Sequence, residues 1–349
     1  MMRRTIIIIL AALLALVLPQ RLCASGHGGE GEFSPKEMVM EHLADSYEWH
    51  ITTIKDRDIV VPLPIIVRSS TGWHIFSSDK VCHGGTYEGL YIAQEGKYKD
   101  KLVENVGGEQ KRPVDLSLTK TACGAIFSLL VVLVLFLVTA RSYKNRDEVD
   151  YCPKGLAGLM EWLISSILDS VIKPCVGSNW RKFAPYLLTA FFFIFVTNLL
   201  GLIPIFPAGA NVTGNITITL FMAVMTLLAV NLFGSKHYYK EIFWPDVPIF
   251  LKAIPLMPLI EIIGIFTKPF ALMMRLFANI LAGHSIILSL CCIIFVTVHM
   301  GAAVNGSMTA VALLFMIFMN CLELLVAFLQ AYVFTMLSSV FIGLAQEGH

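Results

Sequence analysis

The chain has 349 residues, 56% of them hydrophobic and only 15% charged, with a mean hydropathy of +0.72. A soluble domain carries about a quarter charged residues, so the composition excludes one and indicates an all-α polytopic membrane protein. The formal net charge of +1 gives no global field for nucleic acid, and the eight cysteines show no pattern of paired ligands, so neither a metal nor another cofactor is expected.

In chain order, Arg3 and Arg4 open a basic start, Ile6 to Leu18 form a short apolar core, and Cys23-Ala24-Ser25-Gly26 offers small residues for cleavage. This is the pattern of a secretory signal over residues 1–25. An uncleaved first membrane helix is the alternative, but the apolar core is shorter than the ~20 residues a span needs. Cys23 raises a lipoprotein reading, which Gln20-Arg21-Leu22 before it fits poorly.

Residues 26–118 are polar and read as a small exported α+β region. Ser34-Pro35-Lys36-Glu37 predicts a helix start, with an N-cap serine, a proline at the first position and a glutamate at the third, running to about Ser46. Ile59–Val67, Trp73–Phe76 and Tyr87–Ile92 read as short strands, the prolines of the first placing it at a sheet edge. His42, His50, His74 and His83 lack ligand spacing. Cys82 is alone in the exported part, so no disulfide framework is expected there; Cys291 and Cys292 read as small core residues.

Residues 119–349 form the membrane domain. Ala122 to Ala140 is an unbroken apolar span followed by Arg141, Lys144, Arg146 and Lys154, which places that loop inside and the preceding region outside, in the periplasm. The export signal gives the same orientation independently. Leu156 to Ile172 is amphipathic, carries Trp162 and is expected on the inner membrane surface. Arg181 and Lys182 mark the inner start of the next span, Phe183 to about Ile203. The turn from Pro204 to Val212 has no lysine or arginine, as an outer loop should. Asn211-Val-Thr213 and Asn215-Ile-Thr217 match the glycosylation pattern; with a bacterial-type export signal they read as turn residues and helix caps. The third span is Ile216 to about Phe233, and Lys236 and Lys240 return the chain to the inside.

The last two apolar segments, Pro258 to Met300 and Met308 to Ala345, are too long to stand upright. Each would extend about 60 Å as helix, against about 30 Å of hydrocarbon. Strong tilt resolves the mismatch. The expectation is therefore about five membrane helices, including two long tilted antiparallel ones joined by Gly301 to Gly306. Pro269 bends the first, and the C-terminus is cytoplasmic.

These two helices carry the costly residues. An ionised guanidinium at mid-bilayer costs several kcal/mol, and arginine keeps its proton under almost any condition, so Arg275 needs a task or a partner. Arg275 and Asn279 share a helical face, and Glu261 and Lys268 fall near it. Glu261 would lie about 20 Å toward the cytoplasmic side, and His284 about 13 Å toward the outer side on the opposite face. On the second helix Asn320, Glu323, Ala327 and Gln330 make one polar stripe. In an antiparallel hairpin Gln330 reaches the level of Arg275, and Glu323 that of His284. A carboxylate and an imidazole at one depth form a proton relay, although such a pair also serves as a plain interhelical contact. No acidic residue lies within a turn of Arg275, so its expected partner is a carboxylate on another subunit.

Leu272-Met-Met-Arg-Leu-Phe-Ala-Asn-Ile-Leu-Ala-Gly-His284 and Leu329-Gln-Ala-Tyr-Val-Phe334 resemble the two signatures of the subunit a family of F-type rotary ATP synthases. Asn198-Leu-Leu-Gly-Leu-Ile-Pro204 and Thr267-Lys-Pro269 are weaker echoes, and the resemblance covers about residues 120–349. It implies that Arg275 meets the carboxylates of an oligomeric c-ring and blocks direct proton passage between two half-channels. It places Asn279, His284, Glu323 and Gln330 along the outer half-channel and Glu261 at the inner one. Some members carry the acid at the position of His284 and the histidine at that of Glu323. It further implies b-type peripheral stalk subunits, indirect contact with the F1 sector, an inner-membrane location among lipids, and coupling of a proton gradient to ATP synthesis. The chain is expected to do no nucleotide chemistry itself, having no G-x-x-x-x-G-K-[ST] loop. The long exported region departs from many members. A self-contained transporter would show internal repeats, which are absent, and a mere scaffold has no use for Arg275 with Glu323 and Gln330.

Overall fold

The computed structural model describes residues 44–54, 57–93, 98–106, 109–144, 155–203, 208–243 and 256–346. The expected signal lies outside the described residues, as does the expected helix from Ser34, apart from its last residues, which are not helical. The chain packs as two compact units: Met1–Phe127 with Gly201–Val212 and His284–Asn320, and Ser128–Leu200 with Thr213–Gly283 and Cys321–His349.

Among its described residues the first unit holds eight short strands: β1 (Glu48–Ile54), β2 (Arg57–Pro62), β3 (Pro64–Ser69), β4 (Gly72–Ser77), β5 (Leu90–Ile92), β6 (Leu102–Val106), β7 (Glu109–Lys111) and β8 (Val114–Asp115). They form three small antiparallel sheets, β1-β2, β4-β3-β8 and β5-β6-β7. Alternation along β3 sends Ile65 and Val67 inward, where Tyr47, Phe76, Val81, Leu90 and Leu102 close the core.

Two strand expectations need correction. The segment Ile59–Val67 is two strands broken at Leu63, because neither Pro62 nor Pro64 can donate to a ladder. Leu63 turns inward instead, its N–H donating to Ser78 Oγ (3.1 Å) and its carbonyl accepting from the Ser78 N–H (3.0 Å). Its second half, β3, is the centre of its sheet rather than an edge, since Pro64 stands at the first residue. Of Tyr87–Ile92, only Leu90–Ile92 is strand. Tyr87 and Leu90 exchange backbone bonds of 2.9 Å around Glu88 (φ 51°) and Gly89 (φ 81°), a turn with two left-handed residues.

Glu104 ties β6 to the β3–β4 turn: the Ser70 hydroxyl donates to Oε1, and the Ser70 N–H to Oε2 at 3.0 Å. These donors hold the Glu104 carboxyl below the usual carboxylate range. A depressed folded value means the stabilisation is full above the unfolded value, about 4.3, and is lost as pH falls through the lower folded value. Amide exchange at Ser70, corrected for its intrinsic rate, should therefore accelerate on acidification below about pH 4. Glu104→Gln should flatten that profile.

The first helix, α1 (Lys120–Lys144), follows β8 after a short extended link and is anchored to the strand region. The Lys120 N–H donates to Ser46 O (2.9 Å) and the Thr121 N–H to Asp45 Oδ1 (3.1 Å), satisfying two of the donors every helix start leaves open. Nearby, Tyr47 donates to Asp115 Oδ2 (2.5 Å); burial and that carboxylate push the phenol well above its ordinary range.

In the second unit α2 (Leu156–Ile167) continues through a wider turn, Leu168–Ile172, and a further helical turn to Val176. Met160, Leu163, Ile167, Val171 and Val176 face inward at helical spacing, while Leu156, Leu159 and Trp162 remain exposed. Then come α3 (Trp180–Gly201), α4 (Ile216–Leu232) and α5 (Lys236–Phe243). Asn215 is the cap of α4, accepting from the Thr217 N–H at 3.0 Å.

The chain ends in α6 (Leu256–Thr297, 42 residues) and α7 (Ala302–Gln346, 45 residues). They run antiparallel. Within the first unit Cys291 meets Met316 and Thr297 donates to Asn305. Within the second, Gly283 faces Glu323 and Lys268 lies over the Phe341 ring. The expected connector Gly301 to Gly306 is shorter in the structure. Gly301 alone turns the chain, at φ 100°, and Ala302 onward is already helix, with the Asn305 N–H donating to Gly301 O. Helix α6 stays helical through Pro269. Among the described residues four stretches are long and apolar enough to cross a membrane, in α1, α2–α3, α6 and α7. The fifth expected span, α4, has 17 residues, about 26 Å.

Candidate functional site

Helix α6 divides sharply by face. Pro269, Leu272, Met273, Leu276 and Ile280 are buried, whereas Ala271, Met274, Arg275, Ala278, Asn279 and Ala282 are exposed. Arg275 and Asn279 therefore stand one turn apart on an open face, among small neighbours that leave room for another helix to approach. Among the described residues Arg275 makes no ion pair.

The stripe on α7 points the other way. Glu323, Ala327 and Gln330 are buried, and Asn320 is half-buried, donating to Met316 O (2.9 Å) within its own helix. A side-chain carbon added at Gly283 would come 3.0 Å from Glu323 Oε1, so glycine is what lets the carboxylate lie against the α6 backbone. His284, the next residue along α6, is half-buried, and its Nε2 would be 3.7 Å from a side-chain carbon added at Gly201, the last residue of α3.

The pairs Lys268–Phe341 and Gly283–Glu323 fix the registry of α6 against α7 in the second unit. Interpolated between them, Arg275 lies opposite about residue 332, within a turn of Gln330. The two share a level but not a face, since Gln330 is buried and Arg275 exposed.

Several polar groups here carry no strong sequence signal. Thr335, Ser338 and Ser339 extend the buried stripe of α7 with full burial. Thr335 and Ser339 donate to Ala331 O (2.8 Å) and Thr335 O (2.7 Å), and Ser338 shares a hydrogen bond with Thr226, which shares another with Tyr186. Thr213 donates to Asn198 Oδ1 (2.6 Å) in a second buried pair. Small hydroxyls read as ordinary helix filler, because they can bond to their own backbone. Phe191 and Phe195 of α3 pack edge-on to Phe328 of α7, an apolar wall between Glu323 and Gln330 in sequence.

Glu261 is half-buried and within electrostatic reach of Tyr238. Tyr238 lines a mostly apolar cavity of about 30 Å³ with Ile265, Pro269 and Phe341, bordered by Asn231 and Lys268, a volume that holds about one water. Among the described residues no group of three or more metal-ligating side chains forms.

The family model described as ATP synthase A chain matches residues 125–343, and one described as a domain of unknown function (DUF8433) matches residues 38–116. The chain is 45% identical over 240 residues to ATP synthase subunit a 2 of Chlorobaculum tepidum, a match covering 66% of this chain and 64% of that protein, slightly under two thirds of its length. It is 42% identical over 246 residues to ATP synthase subunit a of Chlorobium phaeobacteroides strain BS1, covering 67% and 68%. With ATP synthase subunit a of Myxococcus xanthus it shares 37% over 250 residues, covering 69% and 77%.

Proposed function

The chain belongs to the ATP synthase A chain family, and we propose that it is the proton-translocating stator subunit of a rotary ATP synthase. The observation that carries this reading is Arg275, a fixed positive charge on an exposed face of a membrane-length helix. Left facing hydrocarbon it would cost several kcal/mol, so that face needs a negatively charged neighbour. The carboxylates of a rotating c-ring supply one.

In this mechanism a proton enters from the outer side past His284 and Glu323, with Asn279 and Gln330 bordering the path. The carboxylate of Glu323, accepting a proton on one oxygen, hands it onward, and a ring carboxylate takes it and becomes neutral enough to face lipid. After nearly a full turn the carboxylate releases the proton near Glu261. The water-sized cavity beside Tyr238 and Lys268 supports an exit on that side. Arg275 pairs with each deprotonated carboxylate as it passes, so the ring does not slip and protons do not cross directly. The b-type stalk holds the subunit against the ring, and ATP chemistry takes place in F1. The multi-pass chain sits in the inner membrane with residues 26–118 outside and the C-terminus inside, residues 1–25 having acted as the export signal.

The test is ATP-driven acidification of inverted membrane vesicles holding the assembled complex, wild type against Arg275→Ala. Pumping should disappear with the subunit still present; coupled pumping at wild-type rate would defeat the proposal. A milder probe is Gly283→Ala, which presses a methyl on the Glu323 carboxylate. Pumping should slow by about threefold to tenfold, equivalent to about 1 kcal/mol of displacement.

A further inference from the structure

The sheet β4-β3-β8 has one face in the core and one that is apolar yet open. Cross-strand register places Ile66 beside Ile75, and Arg68 beside both Trp73 and Val114, on the face opposite Ile65 and Val67. The Leu116 N–H donates to Ile66 O, extending that face by one more apolar residue. Trp73, Ile75, Val114 and Leu116 are 58–73% exposed. The solvent face of an antiparallel sheet is ordinarily polar, whereas on this one Arg68 and Ser77 stand among Ile66, Trp73, Ile75, Val114 and Leu116. A contiguous apolar patch of this kind marks something that covers it.

We propose that this face rests on the outer leaflet of the membrane, with lipid headgroups and upper acyl chains as its partner. The chain path is the first argument. Val114 lies six residues before Lys120, where α1 begins, so the patch is within about 20 Å of the start of a membrane helix. The attachment is fixed rather than loose, since the Lys120 and Thr121 N–H groups bond to Ser46 and Asp45, and Tyr47 bonds to Asp115 of β8. Composition is the second argument. Trp73 has the Arg68 guanidinium 5.9 Å from its ring centroid, and exposed Lys111 and Arg112 lead into β8. Tryptophan beside basic groups, bordered by aliphatic residues, is the chemistry of an interfacial anchor on anionic lipid. The proposal requires α1 to cross the membrane but does not depend on the proton path.

The experiment reconstitutes the full chain in phosphatidylcholine vesicles with a minor fraction of phosphatidylglycerol and isolates the Trp73 emission as wild type minus Trp73→Phe. Lipids brominated just below the headgroup should quench that component about twofold, the depth of an interfacial indole. Omitting phosphatidylglycerol or introducing Arg68→Glu should weaken the quenching. Ile75→Trp in the Trp73→Phe background gives a second reporter on the same face and should behave alike. A Trp73 component that bromolipid leaves unchanged and aqueous acrylamide quenches freely overturns the proposal. Shielding from both quenchers overturns it too, because a protein surface would then cover the patch.

Discussion

Arg275→Ala should abolish coupled proton pumping while leaving the subunit folded and assembled. The two halves of that expectation have separate physical grounds. Folding survives because the side chain is exposed and, among the described residues, ion-paired to nothing, so its removal opens no cavity and strands no buried charge. Coupling fails because the proposed work of the residue is electrostatic. Two unit charges about 4 Å apart attract by about 4 kcal/mol at an effective dielectric of 20, roughly a thousandfold in the retention of a deprotonated ring carboxylate. Acidification of inverted vesicles should fall at least about a hundredfold, and passive proton leak should rise, if the proposed positive barrier between two half-channels is removed. Arg275→Lys should recover little, because a compact ammonium that can lose its proton does not reproduce the planar, permanently charged fork. Asn279→Ala, one turn away on the same open face, should cost less than about tenfold, as a neutral amide offers hydrogen bonds only. Equal losses in Arg275→Ala and Asn279→Ala would remove the case for a charge-specific role. Wild-type pumping in Arg275→Ala would remove the role altogether.

The long helices were legible in the sequence because the bilayer asks so little of it: a run of apolar residues of sufficient length, with basic residues at one end. Helices α1, α3, α4 and α6 begin and end within a few residues of the apolar runs that predict them, and α7 ends with its run but starts six residues before it, at Ala302 rather than Met308. The strand region was less legible. Pro62-Leu63-Pro64 reads as a single apolar strand with two prolines in it, and only the packing of Leu63 against Ser78 reveals two strands in different sheets. The connector before α7 was overestimated because Asn305 and Gly306 are turn residues by propensity; a positive φ at Gly301 alone reverses the chain.

At the candidate site, spacing put Arg275 with Asn279 and Glu323 with Gln330 on common faces. Which face turns inward depends on every neighbouring helix, and the sequence holds no direct signal for it. Thus Arg275 and Gln330 fall at one level yet on differently exposed sides. The glycines that set the close approaches, Gly283 and Gly343, were silent for the same reason: what forbids a side chain there is an atom far away in sequence.

Gly343 gives the second large effect. Gly343→Ala should destabilise the membrane domain severely, because its side-chain carbon would overlap Cys175 O and come 3.0 Å from that carbonyl's carbon, both backbone atoms. A clash with a flexible side-chain tip is relieved by a rotamer change, whereas this one requires a helix to move. Helix α7 is poorly placed to move. Ala345 O accepts from the Ser235 N–H (2.8 Å), Asn179 donates to Gln346 Oε1 (3.1 Å), and Gln346 Nε2 donates to Phe233 O. Shifting α7 to admit a methyl would break these bonds, so the cost should reach or exceed the upper end of overpacking, about 3 kcal/mol. The expected readouts are a lowered thermal midpoint of the purified subunit in detergent and a reduced steady-state amount in membranes. Gly306→Ala is the matched control. That glycine is on the same helix with open space where its side chain would be, so alanine should leave the midpoint unchanged or raise it, by up to about 1 kcal/mol of helix propensity. A Gly343→Ala protein as stable as wild type would mean that α7 and the Cys175 segment do not pack backbone to backbone. The two variants also separate two kinds of dependence. Gly343→Ala should reduce how much subunit is present, with pumping per assembled complex preserved, whereas Arg275→Ala should leave the amount intact and remove the pumping.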